Sequence, residues 1–352
     1  MSELSDQFEN RLRTASHAAI LLALGVLALL HLRVVIEPFI LAVLIFFLLA
    51  PGAHWLNDRG VPLFAAYAFV VAALGAIIGI IGWWLYQDIT KFADGIPEYT
   101  DKLHEKIEYW DDELERAGIT ITFAGLSDSI NSEAIDSLLM STFGEITNFL
   151  SMMFTVFIFL VFIILEAETL PKRLSAAYST DANEKMNTII HDIGKGVNKY
   201  VVVKTIVSIG TAFVTGACLF AAGVPGWFLW SVLTFILNYV PYIGSLFALI
   251  PPLILGFILL SPSIAIALAI ILIVNQQIWG QFIENKMFGA SLDISPVVLL
   301  LVTAFWFWLW GIMGMVLAVP MAVIAKIVLG NIEETRPISI LLSERPPSSE
   351  EE

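Results

Sequence analysis

The chain has 352 residues, of which 58% are hydrophobic and 14% charged, and its mean hydropathy is +0.83. Soluble domains are about 45–50% apolar and about 25% charged, so the composition excludes an ordinary soluble enzyme and favours a membrane protein. The formal charge of −14 argues against a nucleic-acid partner, because phosphate contacts need clustered Lys and Arg. The single cysteine, Cys218, excludes a disulfide framework and a thiolate metal cluster.

Residues 1–86 are predicted to contain three transmembrane helices. Apolar blocks occupy 18–30 and 34–50, with His31 and Arg33 between them, and a third block runs from 62 to 86. A bilayer core of about 30 Å needs roughly 20 helical residues to cross it. The first block is interpreted as a retained helix, because no small-residue cleavage site follows it and a second apolar block comes at once.

Residues 87–145 form a polar insertion with fourteen acidic and four basic residues. Apolar side chains recur in its first part at intervals of three and four, which predicts an amphipathic, water-facing helix. These side chains are Ile96, Tyr99, Leu103, Ile107 and Trp110.

Residues 146–222 are predicted to supply transmembrane helices four and five, with a polar helical segment at 171–200 between them. That segment carries five Lys and Arg residues, more densely than the acidic insertion. Cytoplasmic loops are enriched in Lys and Arg, so we expect 171–200 and the N-terminus inside and the insertion in the periplasm.

Residues 223–330 are predicted to be the transport core, because they contain two apolar blocks of 35 residues, 226–260 and 296–330. A straight helix of that length would span about 52 Å, which is too long for one crossing without heavy tilt. Helix breakers interrupt each block near its middle, at 237–244 and at Gly311 and Gly314. We predict two re-entrant helical hairpins of opposite orientation, as in many secondary transporters. Two tilted, kinked spans are the alternative.

Polar residues at the first break and on the helix that follows are the candidate substrate pathway. Unwound backbone survives at membrane depth only against protein or a wet cavity. On a helix, Gln277, Gln281 and Glu284 would share one face, and amides or carboxylates inside a membrane usually line a pathway. Two plainer interpretations stay open: Asn238 could bond freed backbone, and Glu284 could pair with Lys286 at a solvated helix end. The predicted pathway residues are Asn238, Tyr239, Pro241, Gly244, Gln277, Gln281 and Glu284.

Motifs for catalysis are absent from the sequence. It contains no Walker-type nucleotide loop, no H-E-x-x-H and no G-x-S-x-G, and its five histidines are scattered. We therefore predict no enzyme, no catalytic residues, no metal and no cofactor, with a proton or sodium ion as a candidate coupling ion. Residues 331–352 are predicted to be a disordered cytoplasmic tail.

Five motifs in the second half resemble the autoinducer-2 exporter family of bacterial membrane transporters. They occupy 238–245, 277–284, 287–289, 292–296 and 308–320, with Pro251 and Pro252 after the first. Gln281 and Asn285 stand where the family usually has Asn and Pro, so the family's usual bend after Gly280 is not carried over.

The resemblance implies export of small solutes across the bacterial inner membrane, with autoinducer-2-like signalling compounds among the candidates. It also implies an alternative, because some members of the family are linked to sodium–proton exchange, for which Glu284 is the best candidate carboxylate. A non-transporting scaffold that uses the acidic insertion is a rival from another class. Small residues and the amphipathic insertion also make a homo-oligomer in the lipid bilayer plausible.

Overall fold

The computed structural model describes residues 23–116, 152–167, 169–177, 180–241, 243–289 and 293–344, together with residues 13, 16–17 and 20–21. Helices account for nearly all of these residues, and the described part of the chain contains no strand. Five helices in it are long and apolar enough to cross a membrane by length and composition. The chain is therefore an all-α polytopic membrane protein, as the sequence predicts.

Short connections join most of the described helices, whereas residues 117–151 between α3 and α4 lie outside the described part. Residues 23–31 are also helical and precede the helices that we number. The numbered helices are α1 (Arg33–Asn57), α2 (Leu63–Asp94), α3 (Ile96–Arg116), α4 (Met152–Glu166), α5 (Leu170–Ala177), α6 (Thr180–Ala222), α7 (Trp227–Leu237), α8 (Ile243–Leu259), α9 (Pro262–Gln277), a π-helix (Ile278–Ile283), α10 (Glu284–Phe288), α11 (Pro296–Gly330) and α12 (Arg336–Leu341).

Several boundaries differ from the sequence-based expectation. Helix α1, which contains the second apolar block, continues through Pro51 to Asn57 instead of ending near residue 50. Helix α2 ends at Asp94, eight residues beyond the predicted end at Tyr86. A break between the first two blocks is present at Leu32, where φ is −89° and ψ is 11°. The amphipathic helix predicted in the insertion is α3, while residues 117–151 lie outside the described part.

Helix α6 is the axis around which the two apolar blocks are arranged. Its C-terminal half packs on the first block, since a Cβ at Gly216 would meet the Ser231 side chain. Its N-terminal half packs on the second, since a Cβ at Gly196 would lie 3.1 Å from Ile327 and 3.2 Å from Val323. The two blocks therefore approach from opposite ends of one helix.

The first block reverses direction between α7 and α8. In a continuous helix, residues 237 and 244 would be about 10 Å apart along the axis. Instead, a Cβ at Gly244 would lie 2.8 Å from the carbonyl carbon of Leu237 and 2.9 Å from Cβ of Val240. Only a glycine leaves room for this close approach, and the two arms form hairpin 1 (residues 227–259).

Both ends of hairpin 1 lie against the α2–α3 unit. The Leu229 amide donates to the Asp88 carboxylate at 2.9 Å. The Lys106 ammonium donates to the carbonyls of Phe257 at 2.6 Å and Leu260 at 2.8 Å. Because the first turn of α7 and the last turn of α8 meet the same neighbour, the arms are antiparallel.

The aromatic side chains of α2 and α3 complete this contact. Phe92 packs edge-on against Trp230 of α7, with ring centroids 5.6 Å apart, and against Tyr99 of α3 at 5.5 Å. Burial raises the pKa of the Tyr99 hydroxyl, and the nearby Glu98 carboxylate adds to this.

The second block reverses at Gly311, which has φ 65° and ψ −142° inside the segment Pro296–Gly330. A Cβ at Gly314 would lie 2.7 Å from the carbonyl carbon of Trp306, eight residues earlier. In a straight helix these residues would be about 12 Å apart. Arms 296–310 and 312–330 thus form hairpin 2, and one of the five candidate spans is in fact two shorter helices.

The bases of hairpin 2 are held together by the segment that was predicted to be a disordered tail. The Ser295 amide donates to the carbonyl of Leu342 at 2.9 Å. The Ser339 hydroxyl donates to the carbonyl of Lys326 at 3.1 Å. The prediction of disorder is therefore wrong for α12, which buries Ser339; residues 345–352 lie outside the described part.

The helical backbone continues beyond Gly280 without a loop. Helix α9 passes into the π-helix Ile278–Ile283 and then into α10, which ends at Gly289 with φ 57°. A π-helix has a wider turn than an α-helix, so residues after Gln277 point in directions that an α-helical wheel does not predict.

Replacement of Gly311 by alanine tests the second reversal. Its backbone conformation is one that residues with a Cβ adopt only under strain, which costs about 1–3 kcal/mol. We expect Gly311→Ala to lower the thermal unfolding midpoint of the purified protein in detergent. Gly75→Ala is the control, because Gly75 is helical with open space around it. An equal or higher midpoint for Gly311→Ala than for Gly75→Ala would contradict the strained turn.

Candidate functional site

Four polar residues of α6 form a buried stripe, which we call the polar seam: Lys204, Ser208, Thr211 and Thr215. Their spacings of four, three and four place them on one face of the helix. Lys204 is 5% exposed and the other three are fully buried. Polar groups buried in an apolar protein need partners, and the seam receives them from hairpin 1, α9 and α10.

The seam begins with an ion pair between α6 and α10. The Lys204 ammonium donates to both carboxylate oxygens of Glu284, at 2.7 Å and 2.9 Å. The Lys204 side chain is 7% exposed and the Glu284 side chain 16% exposed. A pair so shielded from water is costly to break, because removal of one member leaves a buried charge without compensation.

The tip of hairpin 1 contacts α6 immediately beside this pair. The Asn238 amide donates to the Ser208 hydroxyl at 3.1 Å. The hydroxyls of Tyr239 and Thr205 are 2.7 Å apart and share a hydrogen bond. Ser208 lies fourteen residues before the end of α6 at Ala222, about 21 Å along its axis, so the tip reaches deep along the helix.

The far half of the seam is filled by α9. The Asn275 amide donates to the Thr211 carbonyl and to the Thr215 hydroxyl, both at 3.1 Å. Next to it, Gln276 is 7% exposed, and neither its amide nitrogen nor its oxygen has a partner in the described part of the protein. The Tyr200 hydroxyl, one turn before Lys204, is also buried without a described partner. The Gln276 amide and the Tyr200 hydroxyl are therefore the buried groups that could still form hydrogen bonds with a ligand.

The predicted pathway residues fall into two groups. Asn238 and Gly244 are buried, Tyr239, Pro241 and Glu284 are half-buried, and these five belong to the tip of hairpin 1 or to the ion pair.

Gln277 and Gln281 form the second group and are exposed on the outside of the molecule. They do not share a face with Glu284, since the π-helix that begins at Ile278 changes the angular step between residues. The expectation of one common face for the three side chains is wrong.

The partners of Asn238 and Glu284 bear on the two plainer interpretations. The Asn238 amide donates to the Ser208 hydroxyl of α6. Glu284 pairs with Lys204, eighty residues earlier, and not with its neighbour Lys286.

Sequence reasoning missed the residues of α6 altogether. Lys204 is the fourth residue after the polar segment 171–200, at the start of the fifth predicted transmembrane helix, and a lysine inside such a helix is itself a signal of a buried partner. Ser208, Thr211 and Thr215 repeat at helical spacing on the same face and could have been found together with it.

Five aromatic residues precede the second break, and two of them, Trp306 and Trp310, pack together: they belong to the run Phe305, Trp306, Phe307, Trp308 and Trp310. Trp310 is 1% exposed and its ring lies 4.7 Å from that of Trp306. The Trp310 indole donates to the Leu29 carbonyl at 3.0 Å. That carbonyl stands beside the helix break at Leu32, so the tip of hairpin 2 holds the irregular backbone of the N-terminal segment.

No group of three or more His, Cys, Asp or Glu side chains within the described ranges could hold a metal ion. The seam instead offers hydroxyls, amides and one ion pair of zero net charge. Such groups can exchange hydrogen bonds with a small polar molecule.

Comparison with known proteins agrees with this architecture. Residues 18–334 match the family model of the AI-2E family transporters. The chain belongs to this family. The resemblance that the motifs of the second half indicate is therefore confirmed, and the match also covers α1–α6.

Three relatives span nearly the same length. The AI-2 transport protein TqsA of Escherichia coli K12 is 30% identical over 313 residues, which cover 88% of this chain and 90% of the relative. A relative in Haemophilus influenzae is 27% identical, with 88% and 90% covered. YhhT of Escherichia coli K12 is 27% identical, with 96% and 97% covered. Each of the last two relatives is named as a putative transport protein, and neither name gives a substrate.

Membership of a transporter family fits a protein that is embedded in a lipid bilayer and handles a small molecule. It is also consistent with the expectation that the chain is no enzyme.

Removal of one member of the ion pair tests the seam. We expect Lys204→Met and Glu284→Gln each to lower stability by about 3–5 kcal/mol, because each leaves a buried group without its partner. The Lys204→Met/Glu284→Gln double variant should lose less than the sum of the two. The measurement is thermal unfolding of all three variants in one detergent.

The exposed pair Glu98–Lys102, also 2.7 Å apart, is the matched control. Its single and double variants should be close to additive, because water already screens both charges. Additive losses for the Lys204 and Glu284 variants as well would show that these two side chains do not interact in the protein.

Proposed function

We propose that the chain is a secondary transporter that exports small polar solutes across the bacterial inner membrane. In this proposal, hairpins 1 and 2 enter the bilayer from opposite faces, and the polar seam alternately faces each side. The single observation that supports it most is the depth of the hairpin 1 tip, which bonds α6 at Ser208, about 21 Å along the axis before α6 ends at Ala222.

The geometry favours a moving hairpin 1 on a fixed α6. The described side-chain hydrogen bonds between the tip and α6 join neutral groups, Asn238 to Ser208 and Tyr239 to Thr205. The base is held by charged and aromatic contacts to α2 and α3. Separation of the tip from α6 would open the seam, and water or solute could then replace the broken hydrogen bonds.

The cargo that fits the seam is neutral and carries several hydroxyl groups. Lys204 and Glu284 cancel each other's charge, and the remaining groups are hydroxyls and amides that both donate and accept. An autoinducer-2-like furanosyl compound meets this description, and the relative TqsA is named for AI-2 transport.

The energy source in this proposal is a proton or sodium gradient. The sequence contains no Walker-type motif. Glu284 is the carboxylate that pairs with Lys204 of the seam, and its protonation would break the ion pair and leave the Lys204 charge without a counter-charge. Sodium–proton exchange without any solute has no specific support and is an outcome that the flux measurement distinguishes.

A homo-oligomer is part of the same proposal. Gln277 and Gln281 lie exposed on an outer surface that is otherwise apolar, where Ile278 and Phe282 are 47% and 69% exposed. Amide side chains are costly against lipid. A second copy of the chain would cover them and supply hydrogen bonds.

Solute flux tests the proposal directly. Proteoliposomes that contain the purified full chain, with an imposed proton or sodium gradient, should move a labelled autoinducer-2-like furanosyl compound. We expect Asn238→Ala to lower the initial rate by about tenfold, since the freed amide bonds the solute once the tip has separated and one such hydrogen bond is worth about 1–1.5 kcal/mol. Gln281→Ala is the control and should stay within twofold of the unchanged protein.

The opposite ranking of these two variants, with the oligomeric state of Gln281→Ala unchanged, would place the pathway on the outer surface and contradict the seam. Gradient-driven sodium flux with no solute flux, abolished by Glu284→Gln, would replace export by antiport. A stable partner complex with no flux of any solute would support the scaffold.

A further inference from the structure

A cavity of about 970 Å³ opens between α1, α2, α4 and α6, away from both hairpins. None of the polar-seam residues lines it. Its position is the N-terminal half of α6, where the basic segment 171–200 ends and the apolar part of the helix begins.

The inner wall of this cavity is apolar and aromatic. Phe46 and Phe47 of α1, Tyr67 of α2 and Ile164 of α4 contribute to it. The rings of Phe46 and Tyr67 stack with centroids 5.4 Å apart, so this wall is a packed surface. A hydrocarbon chain fits such a wall, whereas a free ion gains nothing from it.

The mouth of the cavity is cationic. Lys195 and Lys199 line it from successive turns of α6, and His191 and His54 stand beside them. No Asp or Glu is among the lining residues, although the chain as a whole carries a charge of −14. Both lysines are exposed, and no ion pair engages either of them in the described part of the structure.

Along α6, the cationic groups and the apolar groups of the cavity follow one another in the same order as the anionic headgroup and the acyl chains of a phospholipid. The apolar stretch of α6 starts at Val201, and Lys199 and Lys195 lie about 3 Å and 9 Å before it along the axis. Lysines at that level meet phosphates at the membrane surface, while Val202 and Val203 line the deeper part of the cavity.

We propose that this cavity binds one anionic phospholipid, with the phosphate between Lys195 and Lys199 and an acyl chain along the Phe46–Tyr67 wall. The proposal does not depend on the polar seam or on the identity of the cargo. Charge complementarity selects an anionic headgroup, and the apolar wall selects a lipid over a soluble phosphate.

Native mass spectrometry of the full chain in detergent at pH 7.5 tests the site, with phosphatidylglycerol and phosphatidylcholine of identical acyl chains as probes. One lysine near a membrane surface is worth about fivefold in affinity for an anionic lipid. Two lysines should therefore give a preference for phosphatidylglycerol of about 25-fold. Equal binding of both lipids would overturn the proposal.

Matched double variants locate the preference. Lys195→Gln/Lys199→Gln should abolish it, and Lys195→Arg/Lys199→Arg should keep it. Lys172→Gln/Lys185→Gln removes two exposed lysines from the same segment but outside the cavity, and it should keep the preference as well. A preference that survives in Lys195→Gln/Lys199→Gln, or disappears in Lys172→Gln/Lys185→Gln, would overturn the site.

A third variant separates a lipid from a soluble anion. Ala50→Trp fills the cavity without a change of charge and should weaken phosphatidylglycerol binding while the lysines remain. Inorganic phosphate or glycerol phosphate at millimolar concentration should not compete with bound phosphatidylglycerol as well as added lipid does. Equal competition would mean that the lysines bind a soluble anion, and it would overturn the proposal of a lipid site. Thermal unfolding of each variant shows that it is folded.

Discussion

Two chain reversals inside an apolar protein leave backbone groups without helical partners, and the arrangement of the molecule depends on supplying them. The hydrocarbon core of a bilayer has no hydrogen-bonding groups, so such backbone is stable there only against protein or a wet cavity. At the first reversal, the amides of Val240 and Gly244 turn back onto the carbonyls of Leu237 and Val240, at 2.9 Å and 3.3 Å. Helix α6 then contacts the turn through the hydroxyls of Ser208 and Thr205.

The base of each hairpin is closed by a lysine that donates to carbonyl groups. Lys106 of α3 bonds the carbonyls at the end of α8, and Lys326 of α11 bonds the Asp293 carbonyl and its carboxylate, the latter at 3.0 Å. The carbonyls at the end of α8 have no partner farther along the helix and attract a cation. Asp293 precedes α11, and its carboxylate forms an ion pair with Lys326. A charged group holds each base, whereas the described side-chain bonds of the hairpin 1 tip are neutral. The tip bonds are therefore the ones that water or a polar solute can replace at least cost.

Much of this architecture could be predicted from the sequence, because membrane helices obey strong length and polarity rules. The 35-residue blocks and the breaks at 237–244 and Gly311 follow from hydropathy and helix breakers alone. The contacts of these blocks with the rest of the protein do not follow from the sequence, since the pairing of Lys204 with Glu284 joins residues far apart in the chain. The π-helix at 278–283 was also beyond reach, as no residue pattern distinguishes it from an α-helix. It is this local change of pitch that turns Gln281 outward and Glu284 inward.

The central claim is that each apolar block returns to the side from which it entered. Single cysteines at exposed positions beside the two hairpins, in a Cys218→Ser background, test it with a membrane-impermeant maleimide. Cysteines at Ala221 and Ser261 should react in intact cells, whereas those at Lys286 and Glu333 should react only after the cytoplasmic face is opened. A label that reaches Ala221 and Ser261 from different faces, or Lys286 and Glu333 from different faces, would contradict the paired hairpins.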